Sequence, residues 1–117
     1  MARPPSLQSA AMEILWDAHP EPMDANAVLA RLAPHHDVAY TTAMTVLVRL
    51  WKKGRLTRTK VGRAYFYSPT ETRPAYQARR MAEILHSVQD RSMTLTRFFE
   101  ALTEEERSDL EGLISDQ

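Results

Sequence analysis

The chain contains no cysteine, which excludes disulfides, thiolate metal centres and redox sensing through a thiol. Glycine is scarce, with Gly54, Gly62 and Gly112 standing far apart, so no glycine-rich loop can cradle a phosphate. There is no run of eighteen apolar residues and no basic-then-apolar leader. Neither a membrane span nor a signal peptide is therefore expected, and a cytoplasmic location fits. Catalytic constellations are missing too: no cysteine nucleophile and no paired carboxylates with a pocket to serve. An enzyme is not expected, and no catalytic residue is assigned. His35, His36 and Asp37 adjoin on a loop without a partner pair at ligand spacing, so neither a metal site nor a cofactor is expected. His19 and His86 read as ordinary surface or helix-end residues.

The most informative absence is local. Between Val38 and Thr70 there is no Asp or Glu, while Arg49, Lys52, Lys53, Arg55, Arg58, Lys60 and Arg63 give the window a net charge of +7. The overall charge of zero hides this, because residues 98–117 set seven acidic groups against Arg107 alone, a net of −6. A neutral protein with such asymmetry can still bind a polyanion through one face.

What is present reads as three helices, a hairpin and three more helices. Residues 1–5 (MARPP) suggest a short flexible arm. Ser6 offers an N-cap to a helix with Leu7, Ala11, Ile14 and Leu15 on one stripe, and His19-Pro20-Glu21-Pro22 ends it. Asp24 caps a second helix, with Met23 and Val28 at the spacing of a hydrophobic staple. Val28, Leu29 and Leu32 make its buried side, and Pro34 stops it. A third helix, about Tyr40 to Lys53, should turn Tyr40, Ala43, Leu47 and Leu50 to the core, with Met44 and Trp51 beside them. Thr42, Thr45, Arg49 and Lys52 repeat the same spacing on another side, with Thr41 near them. Small hydroxyls and methyls suit the start of a helix entering a groove, where they can meet a base edge, a phosphate or a thymine methyl.

Gly54 lies where a helix end needs positive φ. Strands are expected over Leu56–Val61 and Ala64–Ser68 with Gly62-Arg63 as the turn, and Pro69 closes the unit. Leu56, Tyr65 and Tyr67, or their neighbours, should bury one face and leave Arg58, Lys60 and Arg63 for solvent or phosphate. Trp16 and Trp51 read as packing residues rather than base-stacking platforms. This is the order of a winged helix-turn-helix domain, residues 1–70.

Residues 71–117 read as three amphipathic helices. Thr72 caps the first, with Pro74 in its opening turn and Ala78, Met81, Leu85 and Val88 at helical spacing. Asp90 or Ser92 starts the next, with Leu95, Phe98, Phe99 and Leu102. Thr103 and Glu106 form a capping box before Leu110, Leu113 and Ile114. Such helices cannot bury their apolar sides against each other alone, so this part is expected to be a helical dimerisation unit. Leu85, Leu95, Phe98, Phe99, Leu102, Leu110 and Leu113 would be at its seam. The rival is a monomer whose tail folds back. The fold class is mostly α with a small β hairpin.

The run AYTTAMTVLVRLWKKGRLTRTKVGRAYFYSP, residues 39–69, resembles the recognition helix and wing of the BlaI/MecI family of penicillinase and methicillin-resistance repressors. LQSAAMEILWD, residues 7–17, resembles that family's first helix; the likeness is looser beyond residue 69. It implies a homodimeric winged-helix repressor on a palindromic double-stranded DNA operator. By matching position, Thr41, Thr42, Thr45 and Arg49 would contact the operator, with Lys60 and Arg63 on the wing. Some members are induced by a membrane sensor-protease pathway that leads to cleavage between an Asn and a Phe in the C-terminal region. Here the nearest match is Arg97-Phe98, without the Asn. Copper-responsive relatives carry a cysteine motif that this chain lacks.

Arg49 is the expected direct reader, donating two hydrogen bonds to guanine, or alternatively a phosphate contact that positions without specifying. Lys52, Lys53, Arg55 and Arg58 read as solvated or weakly attractive. Two other functions compete with repression. One is a winged-helix protein–protein interaction module for an acidic partner, against which the threonine face argues. The other keeps DNA but makes the chain an activator or architectural factor.

Overall fold

The computed structural model describes residues 6–116; the expected arm at residues 1–5 lies outside the described residues. In order come α1 (Leu7–Ala18), α2 (Ala25–Leu32), α3 (Tyr40–Lys52), β1 (Leu56–Val61), β2 (Ala64–Pro69), α4 (Arg73–Ser87), α5 (Arg91–Ala101) and α6 (Glu104–Ser115). Contacts divide the chain into two compact units between Tyr76 and Gln77.

In the first unit the helix starts follow from side-chain oxygens that take up orphan N–H groups. Ser6 Oγ accepts from the Ser9 N–H at 3.1 Å, and Asp24 Oδ1 accepts from the Ala27 N–H at 2.9 Å. Only α3 begins without a side-chain cap, on Ala39. Its far end is a Schellman turn: the Arg55 N–H donates to the Leu50 carbonyl and the Gly54 N–H to the Trp51 carbonyl, both at 2.9 Å. Gly54 supplies the φ of +80° that this turn requires.

The hairpin is antiparallel, pairing Leu56 with Pro69 and Val61 with Ala64. Its two-residue turn has φ +63° at Gly62 and no positive φ at Arg63, which is the II′ class that matches strand twist. The segment before α2 adds a short bridge to β2, with Met23 and Tyr67 exchanging both backbone hydrogen bonds at 3.0 and 2.8 Å. Thr70 Oγ1 donates to the Gly54 carbonyl at 2.9 Å, tying the base of the hairpin to the end of α3.

The core gathers Ala11, Met12 and Leu15 of α1, Val28 and Leu32 of α2, Ala43, Val46, Leu47 and Leu50 of α3, and Leu56 and Tyr67 of the hairpin. Leu7, Ile14, Leu29, Met44, Trp16 and Trp51 pack half-buried around it. Met12 and Val46 join beyond the expected stripes. Tyr40, expected in the core, is 45% exposed. It is the first residue of α3 and lines a crevice with Asp24 and Asn26 at the start of α2, so the spacing that buries Ala43 leaves it at the core's edge.

In the second unit, Asp90 Oδ1 caps α5 by accepting from the Met93 N–H, and Thr103 and Glu106 satisfy each other's backbone N–H groups at the start of α6. Val88 lies just beyond α4. None of the three helices has a buried residue. Leu95, Phe98, Phe99, Leu113 and Ile114 are each more than 40% exposed, and Leu85, Leu102 and Leu110 are half-buried. Met81, Ala82, Ile84, Leu85, Thr94, Leu95 and Phe98 wall an open apolar cleft of about 310 Å³. No helix among the described residues is long and apolar enough to cross a membrane.

Candidate nucleic-acid interface

Helix α3 turns its apolar stripe into the core and leaves Thr41, Thr42, Thr45 and Arg49 exposed. The i, i+3, i+4 and i+7 separations from Thr42 to Arg49 put these groups on adjoining parts of one helical surface. Thr45 Oγ1 donates to the Thr41 carbonyl at 2.9 Å. Its proton is therefore engaged, leaving lone pairs that can accept from an exocyclic amine and a methyl that can meet thymine. Arg49 is exposed, and among the described residues no carboxylate pairs with it.

Among the described residues, none of the seven basic groups between Val38 and Thr70 is in an ion pair. The window's positive charge therefore stands unneutralised. Its members are not equivalent. Lys53 Nζ donates to Gln8 Oε1 at 2.8 Å, and the Arg55 guanidinium lies 4.0 Å from the centre of the Tyr76 ring.

Arg58 departs from its expected outward direction. Its guanidinium stands 3.5 Å from the Trp51 ring centre and 3.9 Å from that of Tyr65, between α3 and the wing. The register explains it. Arg58 pairs with Tyr67 and Lys60 with Tyr65, so both basic residues share the face that Leu56 and Tyr67 turn to the core. Arg58 is stacked because its strand parity points it inward, and the two rings accept its charge. Lys60 lies further out: its Nζ is 5.8 Å from the Tyr65 ring centre and the residue stays exposed. Arg63 is exposed at the turn.

The structure thus brings Thr41, Thr42, Thr45 and Arg49 together on α3, and sets Lys60 and Arg63 on the wing. It also offers two exposed groups that the sequence did not point to as part of this surface, Tyr40 having been expected in the core. Tyr40 lines, with Arg63, Asp24 and Asn26, a crevice of about 60 Å³ between the starts of α2 and α3 and the wing. Val61, 60% exposed beside the turn, is apolar on the wing's outer face. The place of Tyr40 at a helix start, directly before the threonines, was a signal that could have found it.

The sequence profile of the family described as penicillinase repressor matches residues 6–116. The transcriptional regulator BlaI of Mycobacterium tuberculosis is 33% identical over 113 residues, covering 94% of this chain and 81% of that protein. The monomeric form of Bacillus licheniformis BlaI, solved in solution in complex with the blaP half-operator, is 29% identical. That match covers 65% of this chain and 94% of the other, with a TM-score of 0.46. A HOP2 structure described in terms of DNA recognition is similar at a TM-score of 0.50 and 17% identity, over 55% of this chain and 98% of that one, a likeness of fold alone. With the profile match running almost from end to end and the Mycobacterium tuberculosis protein a third identical across the same span, this chain belongs to the penicillinase repressor family.

Proposed function

We propose that the protein is a DNA-binding transcriptional repressor that acts as a homodimer on a palindromic operator in the cytoplasm. Residues 1–70 form the DNA-binding part and residues 71–117 the pairing part. Helix α3 enters the major groove, where Arg49 donates to a guanine edge and Thr41, Thr42 and Thr45 meet neighbouring bases or phosphates. The wing lies along the backbone through Lys60 and Arg63. The observation that carries this reading is the exposed threonine–arginine surface of α3 within a basic window that, among the described residues, no carboxylate pairs with.

Pairing is supported by a second observation: α4, α5 and α6 leave Leu95, Phe98, Phe99 and Leu113 exposed and bury nothing within one copy. Two copies related by a two-fold axis would close that apolar surface and present two α3 helices about one helical turn apart. The nearest match in this chain to the Asn-Phe cleavage site of some family members is Arg97-Phe98, which lacks the Asn, so induction by a sensor-protease is not part of the proposal.

The test is a titration of labelled genomic fragments, including the gene's own upstream region, at about 150 mM salt with random competitor DNA. A retarded band that survives competitor, with a two-fold symmetric footprint, is the expected result. Binding that vanishes with competitor would leave only the electrostatic attraction and favour an acidic protein partner instead.

A further inference from the structure

Tyr40 is a large aromatic residue left 45% exposed at the opening of the helix that carries the threonine–arginine surface. It walls the crevice of about 60 Å³ together with Asn26 at the start of α2 and Arg63 at the wing turn. Three elements of the first unit thus bring three donors to one concavity: a phenol, a carboxamide and a guanidinium. Among the described residues none of these side chains makes a hydrogen bond or an ion pair, and all three residues are exposed. Ala39 gives α3 no side-chain cap, so the N–H groups of Tyr40 and Thr41 are open as well.

The crevice also holds one opposing charge. Asp24 lines it, with Oδ1 already accepting from the Ala27 N–H at 2.9 Å as the cap of α2. Asp24 and Arg63 share the crevice without pairing, among the described residues. Uncommitted donors beside a basic, groove-entering helix suit a charged oxygen acceptor, to which hydrogen bonds are the stronger kind. A space of this size takes the oxygens of one phosphate and is too small for a base.

We propose that Tyr40, Asn26 and Arg63 together hold one phosphate of the operator backbone, the anchor that fixes how α3 enters the groove. The proposal rests on the DNA-binding reading given above and deepens it. It adds Tyr40 and Asn26 to the contact surface and joins Arg63 to them at a single phosphate. Such a contact positions the helix without specifying sequence. Asp24 works against it, its charge lowering affinity at that phosphate.

The experiment uses the full chain and the footprinted operator, prepared as duplexes in which one phosphate at a time through a half-site is replaced by an uncharged methylphosphonate. Affinities are measured at about 150 mM salt for wild type, Tyr40→Phe, Asn26→Ala, Arg63→Ala and Asp24→Asn. Circular dichroism checks each fold. Asn caps a helix as well as Asp, so Asp24→Asn removes the charge and keeps α2. Wild type should lose about tenfold at the linkage that the crevice holds. Tyr40→Phe, Asn26→Ala and Arg63→Ala should each bind the unmodified operator more weakly, by up to about tenfold, and lose little more when that same linkage is neutralised. Asp24→Asn should bind about threefold more tightly, a gain that disappears at the same linkage. Tyr40→Phe binding the unmodified operator as wild type does would overturn the proposal. So would different linkages masking Tyr40→Phe and Arg63→Ala, which would mean two separate contacts. If wild type showed no preference for the operator over random duplex, the repressor reading would fall first and the phosphate anchor with it.

Discussion

Arg58 holds its guanidinium between two aromatic rings, at 3.5 Å from Trp51 and 3.9 Å from Tyr65, and so belongs to the frame of the wing. Replacing it by Ala should lower the stability of the winged unit by roughly 1 kcal/mol, since cation–π contacts at half-buried sites have about that strength. Urea unfolding followed by tryptophan emission, to which Trp16 and Trp51 of the winged unit both contribute, would show it, and a change smaller than the error of the fit would contradict the stacked arrangement. Arg49 and Lys60 separate differently. Arg49→Ala should reduce binding to the footprinted operator by roughly 1–3 kcal/mol while leaving random-sequence binding little changed. Lys60→Ala should weaken both alike and flatten the slope of log affinity against log salt by about 0.9. Parallel titrations over a salt series decide this, and equal selective losses from both changes would refute the division.

At the scale of the element, the two glycines Gly54 and Gly112 make a matched pair. A Cβ at either would meet nothing within 4 Å, so packing is not at issue. Gly54 has φ +80°, and Gly54→Ala should cost about 1–2 kcal/mol through backbone strain alone. Gly112 sits inside α6 at an ordinary helical conformation, and Gly112→Ala should raise stability by about 0.5–1 kcal/mol. Thermal unfolding of the two variants should therefore move in opposite directions.

Element boundaries of this kind were legible in the sequence because they depend on one or two residues. The caps at Ser6, Asp24, Thr72, Asp90 and Thr103 and the positive φ at Gly54 and Gly62 all stand where local chemistry placed them. What could not be read depends on the third dimension. Tyr40 follows the right spacing but lies beyond the edge of the core. Arg58 follows a strand parity that was available, but its charge suggested solvent, and only the nearness of Trp51 to Tyr65 makes an inward cation favourable. The threonines and Arg49 were legible as an exposed surface of α3 because Ala43, Leu47 and Leu50 fix the opposite side.

For the whole molecule, the decisive contrast is between a first unit with a closed core and a second with none. On the homodimer reading, Leu95→Asp puts a charge on the apolar cleft of the second unit and should give a monomer by sedimentation equilibrium. Affinity for a full palindrome should then fall on the order of 10²-fold, the loss expected when two linked sites become independent. The melting of α1 to α3 should stay as in wild type. A dimer that survives Leu95→Asp and its counterpart Phe98→Asp would place pairing elsewhere.

If, as proposed, the core of the second unit is completed only by a second copy, the folding of α5 and α6 becomes a second-order process. Its free energy then follows the logarithm of protomer concentration, and each tenfold dilution removes about 1.4 kcal/mol from it. The winged unit, whose Leu15, Val28, Leu47 and Tyr67 are buried within one chain, feels no such dependence. Amide exchange and protease cutting in the last three helices should therefore quicken on dilution while those in α1 to α3 hold steady. Scarcity of the protein would by itself open the C-terminal half to degradation, so that a falling supply hastens its own loss.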